Sequence, residues 1–335
     1  NIIYECGDFM KDGLKCGFVY AGAVIGAGFA SGKELWQFFG RFGSAGIAGL
    51  LFSFLLYFFL GLAVFKAVSE EEKNALSLTG GVINKLNLLF MFALLVSMTA
   101  AAGSLSSLIL GLPPILGSLI FTFVIYLCSL GGKTAFVGIN SLLTPVMTAF
   151  GVFLGLYICP LGTDLPKTYI PAVPKSLFSA LIYVSYNILT LYAIMLPLKN
   201  KLKTPVSRFT AALTGSLIMF ILGVCLFSPI VIYCNILEKS PLPLLSVIKY
   251  LKLDLLSSLC ALLLFSAVFT TAIGNFFGLA ESPSVRVSKA LILSAAFFCS
   301  LIGFSNIIST IYPIFGILGL LNIAFLLYTN YNKDE

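Results

Sequence analysis

The chain has no histidine, a single tryptophan and few charges: Asp, Glu, Lys and Arg make up 10% of its 335 residues. Without histidine, the commonest general base and the commonest metal ligand are missing. A soluble domain is about 25% charged, so this chain lacks the polar residues to cover a water-exposed surface of its size. The eight cysteines, Cys6, Cys16, Cys128, Cys159, Cys225, Cys234, Cys260 and Cys299, form no CxxC pair. Six of them lie inside apolar runs and read as small buried hydrophobes, not as a disulfide or zinc framework. Period-2 alternation at barrel length is absent as well, which argues against a membrane β-barrel. What remains is apolar: 59% of the residues are hydrophobic, as expected of a helical membrane protein.

The charged residues delimit the spans, since one crossing needs about 20 apolar residues. Uncharged stretches run over 16–32, 42–65, 86–132, 134–163, 176–198, 209–237, 255–280 and 290–332. Two are long enough for a helical hairpin. The first is divided at Gly111-Leu112-Pro113-Pro114 and the second at Ser305-Asn306 and Ser309-Thr310. The expectation is ten helices, near 12–40, 43–66, 86–110, 114–131, 135–160, 176–198, 209–234, 254–280, 289–304 and 309–330. An even number puts both termini on one side. If that side is the cytoplasm, thirteen of the twenty Lys and Arg residues fall inside and seven outside, the sense of the positive-inside rule. The net charge of +7 therefore reads as topology in a plasma membrane, with a lipid bilayer and no nucleic acid as partner. Glu5, Asp8 and Asp12 precede the first span, so it reads as a retained helix and not as a cleaved leader. A short helix from Pro243 to Leu251 is expected to lie on the outer surface.

Residues 24–34, Val-Ile-Gly-Ala-Gly-Phe-Ala-Ser-Gly-Lys-Glu, first suggest a dinucleotide-binding turn. That reading needs a strand, a third glycine in register and an acid about 20 residues on. Here the acid position falls in an apolar membrane span. The alternative is a broken helix. Each glycine weakens a helix by about 0.8–1.0 kcal/mol relative to alanine, and Gly22, Gly26, Gly28 and Gly32 crowd eleven residues. Unwound backbone at membrane depth is tolerated where it is buried in protein or lines a cavity, and a restarting half-helix aims N–H groups into that cavity. Small residues also serve close helix packing. Lys33-Glu34 beside the glycines favours the broken helix, because such a pair is expensive unless it meets water or a partner.

The sixth span opens a second half of similar length and carries Tyr183, Ser185, Tyr186 and Asn187 at its centre. The eighth carries adjacent Thr270 and Thr271, whose hydroxyls suit a hard cation. The halves are taken as 11–165 and 166–332, an inverted repeat of five helices each within a single membrane domain, with the first and sixth helices discontinuous.

The stretch Val-Ile-Gly-Ala-Gly-Phe-Ala-Ser-Gly-Lys-Glu-Leu-Trp-Gln-Phe-Phe-Gly-Arg-Phe-Gly (24–43), with Tyr-Val-Ser-Tyr-Asn (183–187) and Phe-Thr-Thr-Ala-Ile-Gly-Asn (269–275), resembles the YkvI-type membrane proteins. These are an amino-acid permease branch of the amino acid–polyamine–organocation superfamily. The resemblance implies a LeuT-like fold with a central site. It implies a sodium site from carbonyls of Ile25, Gly26 and Phe29 and hydroxyls of Thr270 and Thr271. It further implies a solute pocket of Gly26, Gly28, Ala30, Ser31 and Gly32, where the N–H groups of Ser31 and Gly32 meet a carboxylate and Tyr183, Ser185, Tyr186 and Asn187 form the wall. Lys33 stands where that branch has glutamine. The third span lacks the tyrosine that meets the carboxylate in some LeuT-like proteins. Residues 134–163 contain no lysine to replace a cation, which favours sodium.

The expected function is a sodium- or proton-coupled symporter of an amino acid or similar small zwitterion. No cofactor is expected beyond sodium as coupling ion, and Glu34 is the candidate proton or gating residue. A receptor that binds such a solute and signals without flux is the alternative. Enzyme chemistry is disfavoured, since the usual acid–base and metal groups are missing.

Overall fold

With no water to serve the backbone at membrane depth, peptide groups must be satisfied within helices, and among the described residues all regular structure is helical. The computed structural model of the chain describes residues 2–69, 80–130, 136–159, 172–233, 240–282 and 284–331. Much of the connecting sequence expected at 67–85, 161–175 and 235–253 lies outside them.

The helices are α1 (Ile2–Val24), α2 (Ala27–Ala30), α3 (Lys33–Phe38), α4 (Gly46–Ser69), α5 (Gly80–Leu110), α6 (Pro114–Leu130), α7 (Phe136–Ile158), α8 (Ala172–Met195), α9 (Pro205–Ile232), α10 (Pro243–Tyr250), α11 (Asp254–Ala280), α12 (Lys289–Ser300), α13 (Phe304–Asn306) and α14 (Tyr312–Tyr331). A 3₁₀ segment, Gly40–Ala45, joins α3 to α4, and a π-helical segment, Ile307–Ile311, joins α13 to α14. Five stretches among the described residues are long and apolar enough to cross a membrane: Gly40–Ser69, Lys85–Leu110, Pro205–Ile232, Asp254–Ala280 and Phe304–Leu321. Pro114–Leu130, Pro145–Ile158 and Lys289–Ser300 are shorter apolar helices.

Local chemistry sets the ends. Gly111 takes a left-handed φ of 68°, and Pro114 then opens α6, as proline suits the first helical turn. Thr204 caps α9, its hydroxyl accepting from the Ser207 N–H at 3.2 Å, with Pro205 as the first helical residue. Ser288 caps α12 in the same way through the Leu291 N–H.

Packing is close where side chains are small, the usual device between membrane helices. α1 lies on α9: a Cβ on Gly13 would stand 2.7 Å from Thr210 Cβ, and one on Gly17 2.7 Å from Thr214 Cβ. α14 lies on α8, where a Cβ on Gly319 would stand 2.5 Å from the Ser185 carbonyl oxygen. α4 also packs on α8 and on α9, and α5 on α6 and α11. Leu55, Phe59, Phe123, Leu255, Leu262, Phe298 and Leu321 point outward and are exposed, an apolar perimeter suited to lipid.

Three features differ from the sequence reading. α8, expected to be discontinuous, runs unbroken from Ala172 to Met195. It contains no glycine, and two of its central polar side chains bond to backbone: Ser185 Oγ donates to the carbonyls of Ile182 and Gly316, and Asn187 Nδ2 donates to Tyr183 O at 2.9 Å. The last apolar hairpin turns at Gly303, with φ 91°, just ahead of the polar residues taken as its divider. Finally, α10 is no surface helix. Pro243, Leu244, Leu245, Val247 and Ile248 are buried, packed against α3, α9 and α11.

Candidate functional site

The first span is interrupted twice. α1 ends at Val24, and Gly26 takes extended backbone (φ −89°, ψ −174°) ahead of the single turn of α2. Gly32 then adopts the left-handed region (φ 79°, ψ 0°) before α3 begins at Lys33. That conformation costs an L-residue about 1–2 kcal/mol, so glycine at 32 answers a backbone demand. The half-turn bonds that survive are Ala30 N–H to Gly26 O, Ser31 N–H to Ala27 O and Gly32 N–H to Phe29 O, each at 2.9 Å.

These bonds bear on the residues expected to hold a solute. The two N–H groups assigned to a carboxylate, those of Ser31 and Gly32, are already donated within the broken segment. The Ser31 hydroxyl donates to Gly28 O at 3.0 Å and accepts from the Lys33 N–H at 3.3 Å. Its carbonyl accepts from the Leu244 N–H of α10 at 3.0 Å. Lys33 and Glu34 do not pair with each other: Lys33 Nζ donates to Ser240 O at 3.0 Å, also on the approach to α10.

Two groupings form around the break. On one side Gly26 faces α11, with Thr271 Oγ1 3.8 Å from where a Gly26 Cβ would stand. Thr270 is buried beside it, but its hydroxyl back-bonds to Ala267 O at 3.2 Å. Ile25 and Ala30 border a small cleft, about 20 Å³ in volume, walled further by Met147, Phe150, Leu222 and Cys260 of α7, α9 and α11. Phe29 is buried, its ring tip 3.7 Å from the Cβ position of Gly223 on α9.

On the other side Gly28 lies against Glu34. A Cβ at Gly28 would collide with the Glu34 carboxyl oxygen Oε1, so the glycine makes room for that side chain. Glu34 in turn faces α8, where Tyr183 and Tyr186 are its near electrostatic neighbours. All three residues are buried, yet Glu34 Oε2 and both tyrosine hydroxyls have no hydrogen-bond partner among the described residues. Ser185 and Asn187, expected on the same wall, are turned to backbone; Ser185 is fully buried against α14.

The sequence reading missed several contributors. Tyr57 of α4 is a buried, unpartnered phenol beside Tyr183, with ring centroids 6.1 Å apart. Phe38 lies 5.3 Å from Tyr183 and 5.6 Å from Tyr186. Tyr312 lies 5.2 Å from Tyr186 and donates to Ser97 Oγ at 3.0 Å. Tyr57 carried one signal: with Ser53 it sets a hydroxyl in the middle of an uncharged Phe- and Leu-rich span.

No family model matches the chain. It is 29% identical over 328 residues, covering 92% of this chain and 94% of the relative, to the uncharacterised membrane protein YkvI of Bacillus subtilis (strain 168). It is 26% identical over 343 residues to the uncharacterised protein YyaD of the same organism, covering 96% and 98%. The fold is similar to that of membrane transporters. The inward-facing conformation of Mhp1 aligns over 92% of this chain and 73% of its own, with TM-score 0.62 and 16% identity. The Eremococcus coleocola manganese transporter aligns over 95% and 78%, with TM-score 0.58 and 14% identity. The chain is thus a helical membrane protein with a transporter-type fold.

Proposed function

We propose that the chain is a secondary active transporter of a small solute, working by alternating access in the plasma membrane with both termini in the cytoplasm. The observation that carries this reading is the double interruption of the first span in a fold shared with solved transporters. Broken helices beside a cleft place backbone polar groups at membrane depth, where a solute and an ion can use them. In this reading ten helices form a LeuT-like 5+5 inverted repeat over 11–165 and 166–332. The packing supports it. The first span packs on α9, the second span of the other half, and α8 reciprocates by packing on α4.

The solute sits beside Gly26, Gly28, Ala30, Ser31 and Gly32, facing Tyr183 and Tyr186. Carboxylate capture by the Ser31 and Gly32 N–H groups, as an amino acid would need, requires their two turn bonds to open. The sodium reading draws on Ile25, Gly26, Phe29, Thr270 and Thr271. Thr271 is its best-supported member, since it faces the unwound Gly26, whereas Thr270 must give up its bond to Ala267.

Purified protein in proteoliposomes decides the matter. Uptake of a solute from an amino-acid and amine panel under a sodium or proton gradient is expected. Ligand binding without flux would instead identify a receptor. Under sodium coupling, Thr271→Ala raises the sodium concentration for half-maximal uptake about tenfold, as expected when one ligand of a cation is lost. An unchanged sodium requirement removes Thr271 from the ion site.

A further inference from the structure

Glu34 places a carboxyl group, 5% exposed, at membrane depth, and its Oε2 has no partner among the described residues. An ionised group there is costly unless a counter-charge or hydrogen bonds compensate it. The adjacent cation does not: Lys33 Nζ points away to Ser240 O. Facing the carboxyl are phenols from three elements, Tyr57 of α4, Tyr183 and Tyr186 of α8 and Tyr312 of α14. The hydroxyls of Tyr57, Tyr183 and Tyr186 are buried and unpartnered. Their rings pack as a cluster, with Tyr183 and Tyr186 centroids 5.5 Å apart, Tyr186 and Tyr312 5.2 Å apart, and Phe38 against both α8 tyrosines.

We propose that the cluster of Glu34, Tyr57, Tyr183 and Tyr186 is the binding site for the ammonium group of a small organic amine, and that a carboxylate on the ligand is not required. Among the described residues these four oxygens face one another without a well-formed hydrogen bond from any other element, and donors from a ligand would complete them. An ammonium supplies what the group lacks: a positive charge for the carboxylate, several N–H donors for the oxygens, and a cation for the aromatic faces. A ligand carboxylate fits poorly. It would be repelled by Glu34, and the Ser31 and Gly32 N–H groups that could offset that repulsion donate elsewhere. Among the described residues no three His, Cys, Asp or Glu side chains converge to hold a metal ion. The Glu34 carboxyl rests against Gly28, and an entering amine draws the carboxyl off the glycine.

The inference rests on the transporter reading only in taking the amine to be the transported solute, and binding can be read apart from flux. Matched probes remove one group at a time: leucine and isopentylamine, phenylalanine and phenethylamine, lysine and cadaverine. The purified full chain in detergent is titrated with each, and thermal unfolding reports binding, since a ligand of the folded form raises its stability. At least one amine is expected to bind as tightly as its amino acid or more tightly. Glu34→Gln weakens that amine by about tenfold or more, the scale of one lost charge-assisted contact. Tyr186→Phe, which keeps the ring and packing, weakens it by about threefold to tenfold. No shift with any of the six probes, binding by the amino acids alone, or amine binding within twofold of wild type in both variants overturns the proposal. Amine binding that depends on Glu34 without uptake in proteoliposomes upholds it and removes the transporter reading. Uptake that is indifferent to Glu34→Gln does the reverse.

Discussion

The first span and α8 pack side by side and both carry residues expected at the solute site, yet only the first is broken. The first span meets its surroundings with backbone: Gly26 is extended, Gly32 is left-handed, and the Ser31 carbonyl bonds to another helix. α8 meets its surroundings with side chains, and its helix stays intact from end to end. Glycine density separates the two. Ser185 and Asn187 are as polar as anything near the break, but a hydroxyl or amide in a helix can bond to a carbonyl three or four residues back and leave the ladder whole. Polar residues in a span therefore do not imply unwinding; glycines whose backbone leaves the helical region do.

The comparison can be broken most sharply at Gly28. Gly28→Val drives three extra carbons into the Glu34 carboxyl, and overpacking of this kind costs about 1–3 kcal/mol. Solute uptake in proteoliposomes should fall about a hundredfold, and unchanged uptake would mean that the break takes no part in function. Gly32→Ala comes next. It meets a left-handed backbone and Ile230 Cδ1 at 2.6 Å, so unfolding stability should drop by about 2–3 kcal/mol. A drop below about 0.5 kcal/mol in chemical or thermal unfolding would show that the second interruption is not set by glycine.

On the α8 side the largest expected effect lies in its partner. Gly319→Ala sets a methyl 2.5 Å from the Ser185 carbonyl oxygen and should cost about 2 kcal/mol of stability. The smallest effect is Ser185→Ala. It removes one hydroxyl that donates to Ile182 and Gly316, worth about 1 kcal/mol, with uptake kept within a few-fold of wild type. If uptake is lost while stability holds, α8 carries a solute contact after all and the contrast between the two spans collapses.

How much of this was legible before the coordinates differs from residue to residue. Sparse charges and long apolar runs announced a helical membrane protein, because both follow from the cost of moving charge into lipid. The glycines at 26, 28 and 32 pointed to the broken segment for an equally local reason. α8 was misread because its Tyr-Val-Ser-Tyr-Asn patch has two outlets, unwinding or back-bonding, and the choice depends on a neighbour: Gly316 and Gly319 of α14 come close enough to take the Ser185 hydroxyl and shield its backbone. Glu34 was singled out, but its aromatic setting was not. Tyr57 and Tyr312 come from elements far apart in the chain, and no periodicity announces a contact between them. The inward face of α10 was hidden for a similar reason, since a short amphipathic helix looks the same whether its apolar side meets lipid or protein.

That helix is tied to the broken segment itself. The Leu244 N–H bonds to the Ser31 carbonyl, and the Lys33 ammonium bonds to the Ser240 carbonyl. Two crosswise tethers of this kind make one latch out of parts more than two hundred positions apart in the chain. A movement of α3 that keeps both bonds carries the start of α10 with it, and Leu244, which also borders the cleft beside Ile25 and Ala30, would feel the change.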